Sequence, residues 1–300
     1  GNLGNAYNEI FGQGNSFETL FELAFEGGSG SVENTFIRNY YADRRQSSNS
    51  IGSLKVEARV ASNIGTASNI VYKSAHDGRV YESMDKDGSD KGITKYVYSN
   101  VSYSIDNAGT LKSGKVERSA RGENSASSWI IYRLTDVMLM KAEALVQKAA
   151  EFDASETELS DSVKSIRTAY MQEAFDIVKI VNNRAKGYDV KEIEDDVLKF
   201  SSYSSNTSLM SDLVLEERRR ELMFEGKRWF DLVRMTLRLG NTERLSSLVL
   251  GKHTSNTSAI SIQLKDMDAI FFPILKDELK INTLLKQNPA YEEDEFIQKN

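Results

Sequence analysis

Two carboxylates four positions apart, Glu217 and Glu221, are the residues whose types and spacing are best suited to chemistry. Both lie in residues 209–240, LMSDLVLEERRRELMFEGKRWFDLVRMTLRLG, and the pattern predicts one helix over residues 209–224. Side chains four positions apart on a helix share a face. Neighbouring carboxylates can then differ in pKa and work as a general acid and a general base.

The surroundings of the two acids favour a structural role instead. Met210 and Val214 share the helical stripe that carries them, so the helix is expected to bury both acids. Buried carboxylates need hydrogen-bonded counter-charges. Four arginines are close in sequence: Arg218, Arg219, Arg220 and Arg228. We therefore expect a buried ion-pair network at a helix junction rather than a catalytic pair.

A second predicted helix, residues 128–148, carries a narrow charged stripe on an otherwise apolar surface. Three of its charged residues fall within roughly 80° of one another on a helical projection. A charged stripe on a buried helix implies paired charges, and residues 216–228 offer the complementary partners. The predicted network consists of Arg133, Asp136, Glu143, Glu217, Arg218, Glu221 and Arg228.

Composition argues against several classes of site. The 300 residues include 38 Lys and Arg against 44 Asp and Glu, and the resulting net charge of −6 disfavours nucleic acid as a partner. The lack of Cys removes disulfides, thiol catalysis and Cys-ligated zinc. Two His leave little material for a His-based metal centre or a Ser-His-Asp triad. We predict no metal and no cofactor, and no apolar run reaches the length of a membrane span.

The remaining patterns predict a mainly α fold with a few short strands. A strand is predicted over residues 20–25. Apolar residues at helical spacing predict a long helix over residues 163–185, paired with the preceding helix as in tetratricopeptide repeats. Residues 31–128 are rich in Ser, Asn and Gly, so we predict mostly loops there, with short strands at residues 69–73 and 94–104.

Four stretches, in order along the chain, resemble the SusD/RagB family. They are NSFETLFELAF (15–25), RLTDVMLMKAEAL (133–145), ERRRELMFEGKRWFDLVRM (217–235) and FFPILKDELKINTLLKQNPAY (271–291). An Asp-Gly-Arg element at residues 77–79 resembles a D-x-R element of the same family. Asp136 stands where the family usually has Glu, and Ala290 stands where it usually has Gly.

The resemblance implies a single SusD-like C-terminal region over residues 1–300. It would comprise a loop-rich insertion (31–128), a helical core (129–240) and C-terminal loops with a closing segment (241–300). The helical part that comes first in the family is expected to be missing, together with the lipid anchor. The family consists of outward-facing outer-membrane lipoproteins that capture glycans or other nutrients for a TonB-dependent, SusC-like transporter, without catalysis.

Sugar binding requires exposed aromatic rings beside polar side chains, and residues 31–128 supply both. We expect Tyr40, Tyr41 and Tyr72 on one exposed face near Arg44. The candidate ligand-binding residues are Tyr40, Tyr41, Arg44, Asn49, Tyr72, His76 and Tyr81. These rings could instead anchor loops to the scaffold. Two other functions stay open at this point: a tetratricopeptide-type protein-binding adaptor and a glycoside hydrolase, which would need two carboxylates across a cleft.

Overall fold

The structure is a computed structural model, and it describes residues 7–26, 32–41, 52–85, 92–104, 117–120, 127–154, 160–186, 197–253 and 255–291. The chain forms two compact units, Gly1–Gly226 and Lys227–Asn300. The predicted fold class, mainly α with helical pairs and few short strands, is confirmed.

Three helices, Leu134–Asp153, Asp161–Lys186 and Thr207–Glu221, form the helical core of the first unit. Their facing sides bury apolar residues that include Leu139, Val178 and Met210. The last helix, called the signature helix below, is capped at its start by Asn206, whose side chain accepts from the Leu209 backbone N–H. It ends three residues earlier than the predicted position 224.

A two-stranded antiparallel sheet joins the start of this unit to the helical core. The strand Thr19–Leu23 agrees with the strand predicted at residues 20–25, and it pairs with the strand Trp129–Arg133. The predicted helix over residues 128–148 is therefore wrong in its first turn. Trp, Ile and Tyr suit strands, and so short an apolar run cannot be assigned to strand or helix by periodicity alone.

The loop-rich part contains two short α-helices, Ala58–Ala61 and Arg79–Ser83, and the π-helical turn Ile37–Tyr41. A second π-helical turn, Asn8–Gln13, lies near the start of the chain. The strands Tyr98–Ser102 and Glu117–Ala120 pair antiparallel, the first of them within the predicted region 94–104. The turn Asn8–Gln13 and the loop-rich part share a second core that includes Phe11, Ile37, Tyr72 and Tyr96.

The strand predicted over residues 69–73 is wrong, because the Asn69 side chain folds this segment into a turn. Its amide nitrogen donates to the carbonyl oxygens of Val60 and Ser62, at 2.9 and 2.7 Å. Its amide oxygen accepts from the backbone N–H groups of Val71 and Tyr72, at 2.8 and 2.6 Å. A side chain that makes four backbone contacts offers the chain an alternative to a strand ladder.

The second unit contains the helices Arg228–Leu239, Glu243–Leu250, Thr257–Gln263 and Lys276–Ile281, with 3₁₀ turns at Met267–Ile270 and Pro289–Tyr291. Gln287 exchanges two 2.9 Å hydrogen bonds with the backbone of Ile274. The Tyr291 hydroxyl donates to the Ala269 carbonyl oxygen at 3.2 Å. The closing segment is thus fastened by its own side chains.

Candidate functional site

A buried ion cluster lies where the signature helix meets the loop-rich segment, and Arg79 is at its centre. The Arg79 guanidinium contacts both oxygens of Asp77, with Nε–Oδ1 at 2.8 Å and Nη2–Oδ2 at 2.6 Å. Its Nη1 donates to Glu217 Oε1 at 2.8 Å and to Glu221 Oε2 at 3.1 Å. All four side chains are buried, so one guanidinium joins three carboxylates out of contact with water.

Arg133 extends the cluster from the strand Trp129–Arg133. Its Nε and Nη2 hold the two oxygens of Glu225 at 3.0 and 2.9 Å. Its Nη1 lies 3.0 Å from both Glu221 Oε1 and Glu18 Oε2. Arg184 of the helix Asp161–Lys186 then bridges the same two acids, Glu18 and Glu221. Segments distant in sequence are thus held together at Glu221.

The turn that follows the signature helix is held by cationic side chains. Lys95 Nζ donates to the carbonyl oxygens of Glu221 and Met223, at 3.0 and 3.1 Å, and to Glu225 Oε1 at 2.6 Å. Carbonyl groups at the end of a helix have no partner within the helix, and these donors satisfy them. Phe224 and Gly226 adopt φ angles of +67° and +74° in this turn, and glycine takes such angles without steric cost.

Counter-charges keep the buried acids ionised. Burial alone would raise the pKa of Glu217, but the charges and hydrogen bonds of Arg79 and Arg220 outweigh it and lower the pKa to about 2. Burial likewise opposes ionisation of Glu221, and the guanidinium groups around it hold its pKa well below the usual range. Burial also opposes ionisation of Glu225, but the charges and hydrogen bonds of Arg133 and Lys95 lower its pKa. A carboxylate with so low a pKa has no proton to donate at neutral pH, so the pair is unsuited to general acid catalysis.

Two exposed rings on the segment 32–41 form the second feature, which we call the ring ledge: Phe36 and Tyr40. Their side chains are 43 % and 41 % exposed, and the ring centroids lie 4.9 Å apart. Buried Asn34 fixes the start of the segment, since its Nδ2 donates to the Ser127 carbonyl oxygen at 2.8 Å. Its Oδ1 accepts from the Ile37 backbone N–H at 3.1 Å. The ledge therefore stands on an anchored turn.

A column of aromatic rings connects the ring ledge to the ion cluster. Phe36 packs on Trp129 with centroids 5.2 Å apart, and Trp129 stacks on Tyr96 at 5.3 Å. Tyr96 meets Phe11 at 4.9 Å, and Lys95 Nζ lies 4.6 Å from the centre of the Phe11 ring. Aromatic contacts of this kind and a cation over a ring face are both favourable. The exposed ledge thus rests on a packed interior.

A profile of the SusD family matches residues 32–291 of this chain. The chain belongs to the SusD family. A SusD-like protein from Formosa agariphila, P38, is 31 % identical over 161 residues, which are 53 % of this chain and 24 % of that protein. The resemblance read from the sequence motifs is thereby confirmed.

A solved SusD structure shows the same fold. A SusD homolog from Bacteroides thetaiotaomicron matches with a TM-score of 0.51 at 17 % identity, over 94 % of this chain and 54 % of that one. A SusD superfamily protein from Bacteroides fragilis matches with a TM-score of 0.48, also at 17 % identity, over 95 % of this chain and 54 % of that one. This chain therefore spans about half the length of the solved SusD proteins and about a quarter of the curated relative.

The structure brings most of the expected network residues together in this SusD chain. Glu217, Glu221 and Arg133 share the cluster, and Arg218 pairs with Asp136 through an Nη2–Oδ1 contact of 2.9 Å. The other two residues of the predicted network, Glu143 and Arg228, are not among the contacts described above. Glu143 is buried in the helix Leu134–Asp153, and Arg228 begins the helix Arg228–Leu239 of the second unit.

Several cluster members were missed by the sequence analysis. One signal was present in the four-residue spacing of Glu217, Glu221 and Glu225, which extends the acidic series by one turn. A second was the Asp77-Gly78-Arg79 element, which had been matched to the family without a role. Glu18 also lies within a stretch matched to the family, residues 15–25, and no signal in the sequence pointed to Lys95. The missed residues are Glu18, Asp77, Arg79, Lys95, Arg184 and Glu225.

The expected exposed face of Tyr40, Tyr41 and Tyr72 is wrong for two of its three rings. Tyr40 is exposed, but Tyr41 and Tyr72 are buried, and Tyr81 is buried against the ring of Tyr103. The hydroxyl of Tyr72 donates to the Met223 sulfur at 3.7 Å. Large rings in loops bury 150–250 Å² when they pack inward, which anchors segments that lack regular hydrogen bonds. These rings take the anchoring role that the sequence had left open.

The remaining predicted ligand-binding residues are His76, Arg44 and Asn49. His76 is half-buried, and its backbone N–H donates to the Ser74 hydroxyl at 3.1 Å. Arg44 and Asn49 lie outside the described residues. Among the residues that the structure describes, no group of three or more His, Asp or Glu side chains could hold a metal ion. No helix in the same ranges is both long and apolar enough to cross a membrane.

Proposed function

We propose that this chain is the part of a non-catalytic SusD-family surface protein that captures a glycan or another nutrient for a TonB-dependent, SusC-like transporter. Proteins of this family in general bind nutrients in partnership with such transporters and are associated with the outer membrane as lipoproteins. Accordingly, the whole protein is proposed to lie on the outward face of the outer membrane, held there by a lipid anchor.

The ring ledge is the observation that carries the proposal. Sugar faces are apolar and pack on aromatic rings, whereas their hydroxyl groups need hydrogen-bonding partners. Phe36 and Tyr40 expose two adjacent rings, and the side chains of Arg38 and Asn39 are exposed between them in the sequence. Reversible capture needs only a few such contacts, and a turn anchored by Asn34 keeps them in place.

The carboxylates support a binding role over a hydrolytic one. A glycosidase needs a protonated carboxylic acid and a second carboxylate on opposite sides of the scissile bond. Glu217 and Glu221 are buried, ionised and held by guanidinium groups. Their arrangement stabilises the fold and offers a glycosidic oxygen no proton.

Binding of an oligosaccharide panel tests the proposal directly. The panel contains maltoheptaose, laminarihexaose, xylohexaose, mannohexaose and chitohexaose, each titrated by calorimetry into the purified chain. The Tyr40→Ala and Phe36→Ala changes should each lower the affinity for the oligosaccharide about 3- to 10-fold, which is the equivalent of one aromatic contact. Tyr132→Ala is the matched control, because Tyr132 is a similarly exposed ring on the strand Trp129–Arg133.

Two results would contradict the proposal. Unchanged affinity in the double variant Phe36→Ala/Tyr40→Ala would remove the ring ledge as the binding surface. Sustained release of reducing ends from a bound oligosaccharide, abolished by one Glu→Gln change in this chain, would make the protein a hydrolase.

A further inference from the structure

Adjacent tyrosines on the ledge segment point in opposite directions. Tyr40 is exposed, whereas Tyr41 is buried beneath the ledge, with its ring 5.4 Å from Phe36 in a T-shaped contact. The Tyr41 hydroxyl donates to the carbonyl oxygen of Phe224 at 2.8 Å. Tyr41 therefore touches both a ledge ring and the turn after the signature helix.

The acceptor of that hydrogen bond is held in place. Phe224 has a φ of +67°, which is unusual for a large side chain, and such a conformation persists only where the surroundings enforce it. Lys95 binds the preceding carbonyl groups of this turn, and Arg133 and Lys95 both bind Glu225 immediately after Phe224. The Phe224 carbonyl oxygen is thus a fixed point rather than part of a mobile loop.

The Tyr41 hydroxyl, which donates this hydrogen bond, keeps its proton. Burial raises the pKa of Tyr41, and the nearby negative charge of Glu225 raises it further, so the hydroxyl remains protonated throughout the ordinary pH range. Asn34 fixes the start of the ledge segment, and Tyr41 is the residue with which the π-helical turn Ile37–Tyr41 ends. The segment that presents Phe36 and Tyr40 is therefore fastened at both ends by side-chain hydrogen bonds.

We propose that Tyr41 is a positioning residue for nutrient binding: its hydroxyl bond to Phe224 sets the orientation in which the ring ledge meets its ligand. This inference rests on the proposed function, since it assigns a role within the same binding surface. Tyr41 itself touches no ligand. Its effect is transmitted through the backbone of the turn Ile37–Tyr41 and through the contact between its ring and Phe36.

The test uses Tyr41→Phe, which keeps the ring and removes only the hydroxyl. Tyr132→Phe is the matched control, because it removes a hydroxyl from an exposed ring outside the ring ledge. Two quantities are measured on the purified chain: amide hydrogen exchange across residues 36–41, and affinity for the oligosaccharide of the panel above that the unchanged chain binds most tightly. The sequence has two tryptophans, and the variants are therefore also made in a Trp229→Phe background, which retains only Trp129. The fluorescence emission of Trp129 then reports on its neighbour Phe36.

Positioning by Tyr41 predicts faster exchange at residues 36–41, altered Trp129 emission and about 2- to 10-fold weaker binding in Tyr41→Phe, the change expected for one net hydrogen bond. The melting temperature of this variant is expected to fall only slightly, because one partly buried hydrogen bond is lost. Tyr132→Phe should leave the affinity and the exchange at residues 36–41 unchanged. A purely structural role would give the same small fall in melting temperature but leave the affinity of the folded protein as it was, which would overturn the inference.

Failure of the inference and failure of the proposed function give different results. If Tyr40→Ala weakens binding but Tyr41→Phe binds and exchanges like the unchanged chain, the ledge binds ligand and the positioning role is wrong. If the double variant Phe36→Ala/Tyr40→Ala binds as tightly as the unchanged chain, the ledge is not the binding surface and both proposals are overturned.

Discussion

Arg79 and Glu217 lie 138 positions apart in the sequence, yet Arg79 Nη1 donates to Glu217 Oε1 at 2.8 Å and neither side chain is exposed. The same guanidinium also binds Asp77 and Glu221. A planar fork with several donors satisfies three carboxylates at once, which a single ammonium group cannot do with the same geometry. This contact ties the loop-rich segment to the helical core.

The first prediction is that Arg79→Lys destabilises the protein by about 2–4 kcal/mol, although the charge is kept. Lysine cannot reproduce the paired contacts to Asp77 together with those to Glu217, so at least one buried carboxylate loses its hydrogen bond. Arg38→Lys is the control, because Arg38 forms an exposed pair with Glu33. Urea unfolding followed by circular dichroism measures both variants. Equal midpoints for the two would mean that the Arg79 fork adds nothing beyond its charge.

A second prediction concerns Glu221, which contacts Arg79, Arg133 and Arg184. Glu221→Ala should cost about 3–5 kcal/mol of unfolding free energy, because it leaves buried positive charge without its counter-charge. Glu216→Ala on the same helix is the control. Glu216 pairs with Arg219 in a partly exposed contact, and pairs that water can reach contribute about 0–1 kcal/mol. The idea fails if both variants unfold at the same denaturant concentration.

Acid should unfold the protein through the carboxylates of the cluster. The pKa of Glu217 is about 2 in the folded state, below the ordinary value near 4.5 that applies in the unfolded state. The unfolded state therefore binds more protons between these values, and stability rises with pH across that interval. The contribution is complete above about pH 4.5 and is lost as the pH falls through 2.

The matching variant is Glu217→Gln, which has no proton to gain at this position. Its stability at pH 7 is expected to be lower, and its urea midpoint should fall less steeply than that of the unchanged protein as the pH is lowered from 5 to 2. Parallel midpoint curves for the two proteins would show that Glu217 does not carry the acid sensitivity.

The turn after the signature helix supplies a fourth prediction. Gly226 has a φ of +74°, and a Cβ there would lie 3.7 Å from Trp129 Cζ2, an ordinary contact distance. Gly226→Ala should thus cost about 1–2 kcal/mol from backbone conformation rather than from collision. Gly92→Ala is the control, since Gly92 is outside the left-handed region and has open space around it. Thermal unfolding compares them, and an equally stable Gly226→Ala protein would contradict the conformational argument.

The local patterns of the chain were readable from sequence where periodicity extended over several turns. Apolar spacing located the helix Asp161–Lys186 within two residues at its start and one at its end. The acids Glu217 and Glu221 were recognisable as buried because they fall on an apolar stripe. Regular elements repeat their signal with every turn, which is why these assignments agree with the structure.

Long-range pairing and loop anchoring were not readable in this way. Arg79 finds Glu217 only through the fold, and nothing near either residue specifies the other. Tyr40 and Tyr41 are neighbours of the same type, yet only one of them is exposed. The direction of a ring in an irregular segment depends on which distant atoms accept its hydroxyl. Tyr41 has the Phe224 carbonyl oxygen, 183 positions away.

The members of the ion cluster are far apart in the sequence, and this separation has a consequence for folding kinetics. The helices Leu134–Asp153 and Asp161–Lys186 are close in sequence and can pair early, since short connections close quickly. The cluster needs segments from Glu18 to Glu225, so it can assemble only after nearly the whole first unit has been synthesised. In a nascent chain that stops before Glu217, burial of Arg79 would leave its guanidinium without two of its three carboxylates, and such burial is therefore unfavourable. Dehydration of these charges is therefore expected to be a late step that makes the first unit fold as a whole.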